Sequence, residues 1–166
     1  GGKNKVPMPL LKAALEDAGL FAVPTYSNSG NVIFDADTED LVALQQSVRQ
    51  AIAGQFRLDI PVAVIPADDL AQALAHAPAW WGEDKEAKHN AIAVIAPASA
   101  QQVIEAVGEA KPEYERVAYH GQVIFWSAPI KTFSRTRWSK IVSSSAYGSI
   151  TIRNANTAKK LVELAR

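Results

Sequence analysis

The chain has 166 residues, of which 48% are hydrophobic and 20% are charged, a composition typical of folded globular proteins of one or two domains. Its 17 basic and 17 acidic residues give a formal net charge of zero, and it contains no Cys. The missing Cys excludes disulfides, thiolate nucleophiles and thiolate metal sites, and three widely spaced His predict neither a metal nor a cofactor. No apolar run approaches the roughly 20 residues that span a bilayer, and no signal peptide is evident. We therefore expect a soluble, cytoplasmic protein.

Apolar spacing and turn residues predict five elements in the first part of the chain. They are a helix at 7–19, a hairpin with strands at 23–27 and 31–34, a helix from 38 to 52, a strand at 60–65 and a helix at 67–77. Thr38 or Asp37 is the expected N-cap of the second helix. The continuous apolar run at 60–65 is expected to be a buried strand.

The second part follows a polar stretch at 82–88, which we interpret as the join between two halves. Its predicted elements are a strand at 91–96, a helix at 99–109, hairpin strands at 116–119 and 122–126, a basic segment at 131–142, a strand at 150–152 and a helix at 155–164. The basic segment occupies the place of the second helix in the order strand, helix, strand, strand, helix, strand.

A short internal echo indicates duplication of this order. Gly-Asn-Val-Ile-Phe at 30–34 matches Gly-Gln-Val-Ile-Phe at 121–125, each within a predicted hairpin. We therefore predict an α+β fold of two ferredoxin-like (βαββαβ) halves in tandem, residues 1–80 and 81–166, plus a C-terminal helix. The first half lacks its opening strand, which would leave the neighbouring strand unpaired, so we expect a preceding strand in the native protein.

Four blocks resemble a known bacterial family. They are Gly-Gly-Lys-Asn-Lys-Val-Pro-Met at 1–8, Thr-Tyr-Ser-Asn-Ser-Gly-Asn-Val-Ile-Phe at 25–34, Ser-Arg-Thr-Arg-Trp-Ser-Lys at 134–140 and Thr-Ile-Arg-Asn-Ala-Asn-Thr at 151–157. In this order they are similar to the signature blocks of the family called domain of unknown function 1697. The resemblance implies a two-subdomain α/β fold and a hydrophobic opening strand, but no activity. Members commonly carry Trp where Ala155 stands here.

The charges are distributed unevenly along the chain. Residues 131–166 hold eight basic residues and one acid, a net charge of +7, whereas residues 1–130 hold nine basic and sixteen acidic residues, a net charge of −7. The zero total is therefore the sum of two opposite parts. Either these charges neutralise one another in the fold, or the basic part forms a surface for an anionic ligand.

The candidate anion site lies mainly in this basic part. Arg side chains bind phosphate bidentately, hydroxyls donate to it, an indole can stack on a base, and a helix N-terminus attracts an anion. The candidate residues are Lys131, Ser134, Arg135, Arg137, Trp138, Lys140, Arg153 and Asn154, with Lys3, Asn4 and Lys5 in the loop before the first helix. The structural alternative stays open: these residues can cap helices and pair with acids, and Trp138 can belong to the core.

Other polar residues point to no chemistry of their own. His89 follows several acids, but without metal-ligand spacing, and a solvated linker is the expected role of its segment. No Gly-x-Ser-x-Gly motif designates a nucleophilic Ser.

These observations favour a non-catalytic module that binds a phosphate-bearing ligand, with nucleic acid as the first class to test. One alternative is a small-molecule enzyme whose cleft between the halves uses Arg135, Arg137 and Arg153 to hold an anionic substrate. Another is an interaction module in which the acidic part of one copy meets the basic part of a second copy.

Overall fold

The structure is a computed structural model that describes residues 7–21, 25–26 and 30–165. It divides into two compact units, Gly1–Val64 and Ile65–Arg166, which we call unit 1 and unit 2. The division lies before the helix at 67–75, which the sequence analysis assigned to the first half. In the structure this helix packs on the core of unit 2 through Leu70, Ala73 and Leu74.

Unit 1 consists of two helices and a short hairpin. Its elements are α1 (Met8–Asp17), β1 (Thr25–Tyr26), β2 (Asn31–Val32) and α2 (Leu41–Phe56). The predicted hairpin is present with shorter strands, because Thr25 pairs with Val32 and Tyr26 with Asn31. Asp40, rather than Thr38 or Asp37, caps α2 by accepting a hydrogen bond from the Ala43 amide at 3.1 Å.

The prediction of a buried strand at 60–65 is wrong, because these residues belong to no strand of the described chain. Side chains from alternate positions of the extended segment, Leu58, Ile60, Val62 and Val64, pack on the core of unit 1. Pro61 lies in the middle of the run and supplies no backbone N–H for a strand ladder. The apolar run therefore lies along the helices with one face instead of entering a sheet.

Unit 2 is built around a four-stranded antiparallel sheet. Its elements are α3 (Ala67–Ala75), β3 (Ala87–Val94), α4 (Ala100–Val107), β4 (Arg116–His120), β5 (Val123–Pro129), β6 (Ile150–Asn154) and α5 (Ala155–Leu164). The strand order is β4-β5-β3-β6, and all neighbours are antiparallel. The fold is therefore α+β, with the first strand of the unit in the interior of the sheet.

The two faces of this sheet are covered by different elements. On one face, Ile92, Ile124 and Trp126 pack with Val103 of α4 and with Trp138. On the other face, Ala91 and Phe125 pack with Ala73 of α3, Ala158 of α5 and Trp81. Alternate residues of each strand point to opposite faces of the sheet. The register therefore determines which side chains of neighbouring strands share a face.

The polar stretch at 82–88 is not wholly a linker. β3 begins at Ala87, and its pairing with β5 extends from Ala87 opposite Pro129 to Ala93 opposite Val123. Lys88, His89 and Asn90 are therefore strand residues, and the expectation of a solvated linker at His89 is wrong. The long partner strand stabilises these polar residues in β conformation despite their low strand propensity.

The segment at 130–149, which includes the basic segment, forms three 3₁₀ turns (Ile130–Arg135, Trp138–Ser143 and Tyr147–Ser149) where the predicted order has a second helix. Hydroxyl groups explain the interruptions. The Thr136 hydroxyl donates to the Phe133 carbonyl at 2.7 Å and accepts from the Ser139 amide at 3.1 Å, and the Ser144 hydroxyl donates to the Ile141 carbonyl at 2.7 Å. Such local bonds offer the backbone an alternative to the α-helical ladder.

Candidate functional site

A buried carboxylate, Glu115, fixes the basic segment to the sheet. Glu115 is 4% exposed. Its oxygens accept hydrogen bonds from the amides of Lys111 (3.0 Å), Arg137 (2.7 Å) and Trp138 (3.1 Å) and from the Trp126 indole N–H (3.1 Å). Because a carboxylate provides up to four acceptor sites, these four donors satisfy it. The backbone at 137–138 is therefore held in place by the residue that precedes β4.

Trp138 belongs to the core of unit 2 and has no accessible surface. Its indole N–H donates to the Gly108 carbonyl at 3.1 Å. An indole without accessible surface cannot stack on a ligand base, so the stacking role considered for Trp138 does not fit the structure. The sequence could not distinguish a stacking role from a core role for Trp138, because Trp occurs both in cores and at binding surfaces.

The side chains of Arg135 and Arg137 lie over the connection between α4 and β4. The Arg135 guanidinium lies 5.9 Å from the centre of the Tyr114 ring, and the Arg135 carbonyl accepts a hydrogen bond from Lys111 Nζ at 3.2 Å. Arg137 lies against Gly108, where an added Cβ would come within 3.0 Å of Arg137 Cδ. We call Lys111, Arg135 and Arg137 the basic surface. The structure brings these three cations together from two segments of unit 2.

Three further candidates, Lys131, Ser134 and Lys140, lie in the same 3₁₀ turns and are exposed. Lys88 adds a neighbouring cation, because its Nζ lies 4.3 Å from the centre of the Phe133 ring. The side chains of Lys131 and Lys140 form no ion pair with a described residue, and the Lys140 amide donates to the Arg137 carbonyl at 3.1 Å. They therefore extend the positive charge along the segment without closing a pocket.

The ion pairs show how far acidic residues neutralise the basic residues of the chain. Within residues 7–21, 25–26 and 30–165, four ion pairs form, and two of them involve basic residues of α5: Lys159 with Glu83 at 3.4 Å and Lys160 with Glu163 at 3.5 Å. None of the four includes Arg135, Arg137 or a Lys of the 3₁₀ turns. The charges of α5 are thus partly neutralised, whereas those of the basic segment face solvent.

Arg153 and Asn154 lie away from the basic surface. Arg153 is opposite Ala91 in the ladder, so its side chain starts on the sheet face that α3 and α5 cover, not on the face of Trp138. Desolvation lowers the pKa of Arg153 from its ordinary value, although a guanidinium stays charged at neutral pH. Asn154 caps α5, because its Oδ1 accepts from the Thr157 amide at 2.8 Å. The structure therefore does not bring Arg153 together with Arg135 and Arg137.

The predicted loop candidates Lys3, Asn4 and Lys5 lie outside the described residues. The N-terminal part of the predicted anion site therefore stays a prediction. Over the described chain, no group of three or more His, Asp or Glu is arranged to hold a metal ion.

A groove of about 270 Å³, where β3 and β4 begin and β5 ends, contains polar residues that the sequence did not single out as a group. His89 on β3 and Ser127 on β5 face each other in the ladder, and His89 Nδ1 lies 2.6 Å from Ser127 Oγ. His89 Nε2 lies 2.7 Å from the Asp84 carbonyl oxygen. The sequence could have indicated this pair only through a prediction of the register of β3 against β5. Such a prediction requires the correct bounds of both strands.

The fold and the sequence of this chain both resemble known proteins. A solved structure titled as that of conserved bacterial protein SP0830 from Streptococcus pneumoniae superposes with a TM-score of 0.83 at 29% identity, over 100% of this chain and 92% of the other. No match was found among curated protein sequences. No helix in the described ranges is long and apolar enough to cross a membrane. The model of a family described as protein of unknown function, DUF1697, matches residues 1–125. The chain therefore belongs to the DUF1697 family.

Proposed function

We propose that the protein binds a phosphate-bearing ligand, with single-stranded nucleic acid as the first class, through the basic surface and the adjoining 3₁₀ turns. The observation that supports this proposal is the exposure of the Arg135 and Arg137 side chains. Both are exposed, and neither takes part in an ion pair with a described residue. Both side chains lie on the connection between α4 and β4, and their guanidinium groups provide forked donors that match phosphate geometry.

The backbone that carries these guanidinium groups is fixed before any ligand arrives. Glu115 holds the Arg137 amide, and the Lys111 ammonium holds the Arg135 carbonyl. A ligand therefore orders only the ends of long side chains, and this reduces the entropic cost of binding.

The local charge favours a weak, salt-sensitive interaction. Glu109 and Glu113 lie exposed on the same connection as Lys111 and offset part of its positive charge. The Tyr114 ring beneath Arg135 offers an aromatic face in place of Trp138, although the ring is only half-exposed. Base stacking therefore contributes less here than in modules with several open aromatic rings.

The test is fluorescence anisotropy with labelled single-stranded RNA and DNA oligonucleotides at low salt. We expect the Arg135→Ala plus Arg137→Ala variant to bind at least about tenfold more weakly, since charge-assisted hydrogen bonds contribute about 1.5–3 kcal/mol each. The control is Lys12→Ala plus Arg49→Ala, which removes the same charge from unit 1. Absence of binding, or equal losses in both double variants, would reject the proposal.

The self-association alternative makes a different prediction from the same charges. If an acidic surface of one copy binds the basic segment of another, light scattering should show a dimer that dissociates as salt is raised. A monomer at every ionic strength would argue against it. The alternative of an enzyme cleft between the halves lacks the predicted convergence of three Arg, because Arg153 starts on the other sheet face.

We also propose that each unit descends from a ferredoxin-like βαββαβ element. The support is the sheet order of unit 2, in which the first strand lies between the third and the fourth. The echoed pentapeptides add to it: Gly30 (φ 70°) and Gly121 (φ 58°) both lie, with positive φ, in the turn before the second strand of a hairpin. An experimental structure that shows a strand beside residues 60–64 would support the proposal, and a different neighbour there would reject it.

A further inference from the structure

Three polar residues form a row across the sheet of unit 2. Ser127 on β5 lies opposite His89 on β3 and opposite Arg116 on β4. Directly paired residues of antiparallel strands carry their side chains on the same face, with Cβ atoms roughly 5 Å apart. The Ser127 side chain, on a residue that is 7% exposed, therefore has the His89 imidazole on one side and the start of the Arg116 side chain on the other. All three residues line the groove described above.

The hydrogen bonds of His89 determine which ring nitrogen carries the proton. The Asp84 carbonyl can only accept, so Nε2, at 2.7 Å from it, is the donor. In the neutral ring Nδ1 is then unprotonated and accepts the hydroxyl proton of Ser127 at 2.6 Å. This is the arrangement of an activated nucleophile: a hydroxyl bonded to a base whose orientation is fixed by a third group.

We propose that this groove hydrolyses small carboxylic esters, with Ser127 as the nucleophile and His89 as the general base. Ser127 Oγ bonds to the ester carbonyl carbon while its proton passes to His89 Nδ1, and the carbonyl electrons move to oxygen. Collapse of this intermediate breaks the bond to the alkoxy group, which takes the proton from Nδ1 and leaves as an alcohol. Water then attacks the acyl-serine and gives a proton to Nδ1. The bond between the acyl carbon and Oγ breaks, Ser127 regains its proton and a carboxylic acid departs.

The Arg116 side chain starts on the side of Ser127 opposite His89. It is exposed and enters no ion pair with a described residue. A cation beside the nucleophile stabilises the oxyanion as charge develops on the carbonyl oxygen. The Asp84 carbonyl stabilises the imidazolium that forms in the same step, because it accepts a hydrogen bond from Nε2 of His89.

The size of the groove limits the substrate class. A volume of about 270 Å³ lies just below the range of pockets that enclose drug-sized ligands. The aromatic rings of Trp80 and Tyr114 and the ring of Pro129 supply apolar wall beside the polar row. Short acyl groups on a small alcohol match this volume.

The test is covalent labelling with a fluorophosphonate probe, followed by intact-mass measurement and peptide mapping. We expect a single adduct on Ser127, no adduct in Ser127→Ala or in heat-denatured protein, and labelling slowed about 100-fold in His89→Gln. Ser145→Ala is the matched control, because Ser145 is exposed and lies outside the groove. Hydrolysis of p-nitrophenyl acetate should disappear in Ser127→Ala and fall about tenfold or more in Arg116→Ala.

Mapping on the wild-type protein keeps the test decisive even if a variant folds poorly. No adduct, or an adduct on another residue, would overturn the proposal. Labelling of His89→Gln at the wild-type rate would equally overturn it, because the base would then have no role. Oligonucleotide binding is measured separately, so loss of that function would leave this result interpretable.

Discussion

Glu115 shows how one acidic residue can support a basic surface without neutralising it. Its carboxylate is used by three backbone amides and one indole N–H instead of a guanidinium. Arg137 is therefore attached through its backbone, and its side chain stays exposed. Buried carboxylates are stable where every oxygen lone pair meets a donor. This residue links the basic segment to the core.

Replacement of Glu115 by Ala should destabilise unit 2 strongly. Four donors would lose their acceptor in a buried site, and each unsatisfied polar group costs about 1–3 kcal/mol. After partial relaxation we expect a loss of about 3–5 kcal/mol in the free energy of unfolding, measured by urea denaturation. Glu113→Ala, an exposed acid two residues earlier, is the control and should change stability by less than about 0.5 kcal/mol. A loss below about 1 kcal/mol for Glu115→Ala would contradict this account.

At the scale of elements, the segment at 130–149 determines which basic side chains unit 2 exposes on this side of the core. An α-helix over these residues would place only one stripe of basic side chains outward. Three 3₁₀ turns instead allow Trp138 and Ile141 to enter the core while the neighbouring Arg and Lys side chains face solvent. The hydroxyl of Thr136, a residue with no accessible surface, connects the first two turns.

Replacement of Thr136 by Val should test the role of this hydroxyl, because Val has nearly the same shape. The Ser139 amide would lose its acceptor and the Phe133 carbonyl would keep only the Thr136 amide as a donor, at a cost of about 1–3 kcal/mol in unfolding free energy. Thr132→Val makes the same change in the preceding turn and should cost less than about 0.5 kcal/mol. Thermal unfolding followed by circular dichroism compares the two variants. Equal melting temperatures would show that the hydroxyl does not hold the turns.

At the scale of the whole molecule, the charge balance changes when it is counted by compact unit. Unit 1 holds five basic and seven acidic residues, a net charge of −2, and unit 2 holds twelve basic and ten acidic residues, a net charge of +2. The split of −7 and +7 at residue 130 therefore overstates the field of each unit. Basic and acidic residues are interspersed within unit 2, and the positive charge available to a ligand is local.

The salt dependence of oligonucleotide binding should reflect this local charge. Three cations that contact three phosphates predict a slope of about −2 for log affinity against log salt, at about 0.7 per phosphate for a single strand. All eight basic residues of 131–166 acting together would give a slope of about −5 to −6. Anisotropy titrations at several salt concentrations measure the slope. A value near −5 would show that the ligand covers much more than the basic surface.

The sequence by itself determined the fold class, the family and the approximate position of most elements of unit 2. Alternation and helical spacing predicted the helices α4 and α5 and the strands β4 to β6, because these patterns depend on near neighbours along the chain. Helix capping was the structural alternative for the candidate anion residues, and Asn154 is the N-cap of α5. The family resemblance rests on blocks of sequence and agrees with the match over residues 1–125.

Only the tertiary structure decided which polar residues work together. The register of β3 against β5 brings His89 to Ser127 across 38 positions of sequence, and the fold of the α4–β4 connection brings Lys111 to Arg135 across 24. It also buried Trp138 and separated Arg153 from Arg135 and Arg137. The physical reason is that side-chain periodicity defines the faces of an element, whereas packing and strand register determine which faces meet.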